Sequence, residues 1–116
     1  LYLIYPQGNY IRTADSKPYL VIGEVKYGKP ILDRVITPKV SIGDASRCAL
    51  ISMDSTLKSD LTVGPPIDFA VIKKDEIKIA SLKCLNMNDP EFSKVCNQWS
   101  QGIFKIFDSF QRFDWE

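Results

Sequence analysis

Strand-type runs fill the first 22 residues, and nothing with helical periodicity separates them. Leu1-Tyr-Leu-Ile-Tyr5, Tyr10 to Ala14 and Tyr19-Leu-Val-Ile22 are rich in β-branched, aromatic and aliphatic residues. Pro6-Gln-Gly-Asn9 and Asp15-Ser-Lys-Pro18 supply turn chemistry between them. Three successive strands without a crossover helix exclude a βαβ beginning. The first two read as a hairpin. The third is continuously apolar, which predicts burial on both faces. Covering so much apolar strand takes more layers than these residues supply. The expectation is therefore that residues 1–116 are one portion of a larger domain, entered in the middle of a strand.

The pattern changes after Gly23. A short helix is predicted around Pro30, with Ile31, Leu32 and Val35 as its apolar face and Thr37-Pro38 as its stop. A second helix starts at Ser41, where Asp44 completes a capping-box spacing. It carries small residues on one face and frays around Lys58 to Asp60. Gly64-Pro-Pro66 turns the chain into strands predicted at Ile67 to Lys73 and Ile77 to Leu82, joined by Lys73-Lys-Asp-Glu76. The last helix has Asp89 as N-cap and Pro90 at its first position. Its apolar stripe of Phe92, Val95, Cys96, Trp99, Ile103, Ile106, Phe107 and Phe110 reads as core, with Phe104 off the stripe. The predicted order is β-β-β-α-α-β-β-α, an α+β class with antiparallel sheets flanked by helices.

Composition narrows the chemistry. The chain has no histidine and three cysteines, Cys48, Cys84 and Cys96, none in a CxxC pair. Cys/His zinc sites and Ser-His or Cys-His catalysis are thereby disfavoured. The three thiols read as half-buried and reduced, and no metal or cofactor site is predicted. With a net charge of +1 and scattered basic residues, no nucleic-acid or anionic-membrane partner is expected. Asp60, at a helix end, and Glu24 with Lys26, just after a strand, are the polar residues at positions where functional groups gather. Spacing alone favours a solvated turn residue for Asp60 and a weak surface ion pair for Glu24 and Lys26. Trp115 reads as a subunit contact or a loose end.

A resemblance adds to this. Val21-Ile-Gly-Glu-Val-Lys-Tyr-Gly-Lys-Pro-Ile-Leu-Asp-Arg34, Ala45-Ser-Arg-Cys-Ala-Leu-Ile-Ser52 with Asp54-Ser-Thr56, and Val63-Gly-Pro-Pro-Ile-Asp68 resemble the Anbu family. Leu3 to Asn9 and Gln98 to Gly102 do so too. Anbu proteins are bacterial proteasome-related peptidases, similar to HslV and proteasome β-subunits. The resemblance implies that residues 1–116 are the C-terminal portion of a single αββα sandwich of the N-terminal-nucleophile hydrolase type. It implies a cytoplasmic, self-associating subunit, in a ring or an open helical turn, acting on peptide or protein substrates. The nucleophile of such enzymes is the hydroxyl of the first mature residue, with its own α-amine as base, and Leu1 cannot be that residue. By motif, Asp60 matches the aspartate that supports this amine, and Gly64 the glycine that follows. Two supporting hydroxyls are replaced, by Glu24 and by Val63, so Glu24 is a candidate substitute partner. The alternatives are a non-catalytic assembly or binding module of the same fold, and an unrelated α+β domain.

Overall fold

A computed structural model describes residues 1–116. Strands β1 (Tyr2–Ile4) and β2 (Tyr10–Arg12) form an antiparallel hairpin, with Leu3 opposite Ile11. Helices α1 (Lys29–Val35) and α2 (Ile42–Ser59) follow. Strands β3 (Ile67–Ile72) and β4 (Ile79–Leu85) make a second antiparallel pair, and helix α3 (Pro90–Asp108) closes the order. The class is α+β, as predicted, with two separate two-stranded sheets.

The predicted caps form. The backbone N–H of Asp44 donates to Ser41 Oγ at 3.0 Å, and those of Glu91 and Phe92 donate to Asp89 Oδ1 at 3.1 Å. Each satisfies donors that a helix start leaves open. Between β3 and β4 the turn places Asp75 at φ 62°, a conformation Asp tolerates better than most residues.

The main core lies where β3 and β4 meet α2 and α3. Ile67 pairs with Leu85 across the ladder, and both pack with Phe92 and Cys96 of α3. Leu50, Met53 and Leu57 of α2 close over them. Burial alternates along β3, so one face points inward and the other stays exposed.

Four expectations are corrected. Tyr19 to Ile22 forms no strand, because no neighbouring segment offers it a ladder; Tyr19, Leu20 and Val21 are half-buried and Ile22 is exposed. The fourth strand spans Ile79–Leu85 rather than Ile77 to Leu82, since pairing Leu85 with Ile67 sets the register and leaves Ile77 outside. The apolar stripe of α3 is core only at Phe92 and Cys96; Ile103, Ile106, Phe107 and Phe110 are exposed. Cys84 is exposed, opposite Asp68 on the ladder, while Cys48 and Cys96 are buried.

These are symptoms of one property. The accessible surface is 9409 Å², where a compact monomer of this mass shows about 6,400 Å². The radius of gyration is 16.7 Å, where about 13 Å is usual for this length. Roughly a third of the exposed surface is therefore in excess of what a compact domain presents.

Candidate functional site

The C-terminal end of α2 faces the segment that links Ile22 to α1. Asp60 is the C-cap of α2, and its N–H donates to Thr56 O at 2.9 Å. Its Oδ1 accepts from the backbone N–H of Thr62 at 2.8 Å and from Thr62 Oγ1 at 2.7 Å. The Thr62 hydroxyl, then its N–H, and then the charge of Lys26 hold the Asp60 carboxyl below its usual range. The carboxylate form is thus favoured by donors fixed in the local turn.

Glu24 and Lys26 form no ion pair with one another. Lys26 instead donates its backbone N–H to Glu24 Oε1 at 2.6 Å, fixing the turn after Gly23, which sits at φ +80°. Glu24 is half-buried and lines a cavity of about 280 Å³. Val63 lines the same cavity, as do Ser52 and Thr56 from the inner face of α2. Glu24 and Val63, where the resemblance implies replaced hydroxyls, thus open on one space.

Gly28 explains how this space is built. It is buried, and an added Cβ would stand 2.3 Å from Ser52 Oγ, 2.9 Å from Ser52 O and 3.1 Å from Thr56 Oγ1. Only a residue without a side chain lets the start of α1 approach α2 this closely. Thr56 Oγ1 donates to Ser52 O at 3.0 Å. Both belong to the small-residue face of α2, and nothing in the helical spacing distinguishes a hydroxyl that packs from one that borders a cavity.

A second polar cluster lies between α2 and α3. Asp54 is 1% exposed; its Oδ2 accepts from Lys58 Nζ at 2.9 Å, and Lys58 also donates to Ser100 Oγ at 3.1 Å. Asp54 Oδ1 is buried without a partner. Burial first, and then the neighbouring Asp54 carboxylate, push the Cys96 thiol up to about 11. Asp54 and Lys58 stand at i and i+4, a spacing visible in the sequence. No three Cys, Asp or Glu side chains come together as metal ligands, and no helix is long and apolar enough to cross a membrane.

Solved structures match this fold closely. Anbu from Hyphomicrobium sp. strain MC1 is 41% identical with a TM-score of 0.91, over 97% of this chain and 48% of that one. Anbu (ancestral β-subunit) from Yersinia bercovieri is 40% identical with a TM-score of 0.92, over 97% of this chain and 48% of that one. The Anbu complex of Pseudomonas aeruginosa, solved as a helical assembly, is 41% identical with a TM-score of 0.89, over 97% of this chain and 46% of that one. No family model and no curated protein matches the chain. The chain spans about half the length of the Anbu proteins it matches. With two-fifths of its residues identical and its fold shared over nearly its whole length, this chain belongs to the proteasome-related Anbu family.

Proposed function

We propose that these residues form part of a proteasome-like peptidase subunit whose N-terminal Thr or Ser nucleophile lies outside residues 1–116. The observation that carries this reading is the close match to Anbu proteins in both sequence and fold. It is supported by the geometry at the end of α2, where Asp60 accepts two hydrogen bonds from Thr62, and by the nearby cavity wall, to which Thr56, Val63 and Glu24 contribute. In this reading the nucleophile's hydroxyl attacks the peptide carbonyl, its own α-amine takes the proton, and Asp60 orients and electrostatically supports that amine. Glu24 stands in as a polar partner where a hydroxyl is missing. No histidine, metal or cofactor is required. The subunit works in the bacterial cytoplasm and self-associates; the helical assembly of the Pseudomonas aeruginosa Anbu complex supports an open helical form over a closed ring.

The test uses a subunit of full Anbu length that carries these residues, with its mature N-terminus exposed. Cleavage of peptide substrates is expected, falling at least tenfold in Asp60→Asn and more modestly in Glu24→Gln. Complete absence of hydrolysis in the wild type sinks the reading. A second reading, a non-catalytic assembly module, is favoured by Val63, which offers no hydroxyl. It predicts normal self-association with no cleavage.

A further inference from the structure

Asp54 Oδ1 is a buried side-chain oxygen, and no donor stands in bonding geometry to it. A carboxylate oxygen left bare away from water is costly, so it calls for a partner. The other oxygen is provided for. Lys58 Nζ donates to Asp54 Oδ2 at 2.9 Å and to Ser100 Oγ at 3.1 Å, which joins α2 to α3 through one ammonium. That contact lies at the rim, since the Lys58 side chain is 54% exposed. Deeper in, Cys96 of α3 is buried and packs with Phe92. Burial, and then Asp54 as acceptor and as charge, push the Cys96 thiol up to about 11. The sulfur therefore keeps its proton at neutral pH, and a protonated thiol is a donor, though a weak one. Ser100, one turn further along α3, is half-buried and already accepts from Lys58.

We infer that the Cys96 S–H donates to Asp54 Oδ1 and completes a polar latch, in which one carboxylate holds α3 at two points. The inner point is the thiol, and the outer point is Lys58 with Ser100. A side-chain rotation brings the inner pair into line. The carboxylate keeps the proton on the sulfur, and that proton satisfies the carboxylate. Asp54 and Lys58 stand in the last two turns of α2, whose C-cap is Asp60. The end of α2 is thereby fixed to α3 by polar contacts as well as by the apolar core. Cys96 becomes a structural donor rather than a spare thiol. The latch is independent of the peptidase reading and is tested without turnover.

The experiment is infrared spectroscopy of the S–H stretch, in a subunit of full Anbu length that carries these residues. The difference spectrum between wild type and Cys96→Ser isolates the Cys96 band. Serine is close to cysteine in size and is itself a donor, so this variant keeps the fold. The band is expected at lower frequency than the thiol bands of the urea-unfolded protein, because donation to a carboxylate weakens the S–H bond. Asp54→Asn keeps the shape of the side chain and removes its charge, and it should move the band back up. Ser100→Ala should leave the band in place. If the asparagine variant does not fold, Asp54→Leu carries the test, since an apolar side chain in place of a buried charge is often tolerated. A Cys96 band at the unfolded frequency, or one that stays where it is in the folded Asp54 variants, overturns the inference. A band that moves in Ser100→Ala and not in the Asp54 variants does so too.

Discussion

Gly28→Ala tests the packing on which the cavity depends. The new Cβ meets three atoms of α2, and they differ in how they can yield. Ser52 Oγ at 2.3 Å can rotate away, whereas Ser52 O at 2.9 Å belongs to the helix backbone and cannot. Relief therefore requires α1 to move off α2 by several tenths of an ångström. Overpacking of this kind costs about 1–3 kcal/mol. An opposing effect is present, because Gly28 sits at φ −87°, ψ −34°, where alanine is unstrained. Replacing glycine there stabilises by about 0.4–1 kcal/mol through the unfolded chain. The net expectation is a loss of about 1–2 kcal/mol, a drop of roughly 0.5–1.5 M in the urea midpoint for a chain of this size. Paired urea titrations followed by far-ultraviolet circular dichroism measure it. Adding Ser52→Ala to Gly28→Ala should recover the part due to the hydroxyl and leave the part due to the carbonyl. A Gly28→Ala protein as stable as wild type would refute the close approach of α1 to α2.

Phe92→Ala should cost about 3–5 kcal/mol in the same titration, since its ring is 1% exposed at the centre of the main core. Asp33 accepts from Lys17 at 2.7 Å, Lys29 at 2.6 Å and Tyr19 at 2.7 Å, and these donors, Lys17 first, hold its carboxyl well below the usual range. A lowered folded pKa means that the stability it brings is present above the unfolded value of about 3.9 and is lost as pH falls below it. Acid titration of thermal midpoints should show that loss, and Asp33→Asn should flatten it. Iodoacetamide at pH 8 should modify Cys84 in the folded protein and spare Cys96, whose thiol stays protonated up to about 11 and is buried. Rapid labelling of Cys96 would refute its packing against Asp54.

What the sequence disclosed was local. Ser41 and Asp89 announce their helices because a cap is a contact between residues two or three apart. Tyr19 to Ile22 misled for the opposite reason: an apolar run shows that a segment suits a sheet, but a strand exists only where a second segment donates and accepts alongside it. The stripe of α3 likewise reports that Phe107 and Phe110 favour cover, not that these 116 residues provide it. Asp60 and Glu24 stood out by position and took their roles from the resemblance, and the structure adds that Glu24 and Val63 share a cavity. Gly28 and Ser52 stayed hidden because their significance is a distance between two elements, which no spacing along the chain encodes.

The anchoring of residues 17–19 on Asp33 has a consequence of its own. The Lys17 ammonium and the Tyr19 phenol, meeting the Asp33 carboxylate of α1, tether the residues that follow beside that helix. A segment tethered at one end loses less freedom when a strand docks beside it than a free one does. Fixing a residue costs about 1–2 kcal/mol of conformational entropy, and the tether lowers the part still to be met. Docking onto Leu20 and Val21 then resembles closing a zip whose first tooth is already held. Loosening Asp33 would slow and weaken that pairing without touching a single atom of the joint itself.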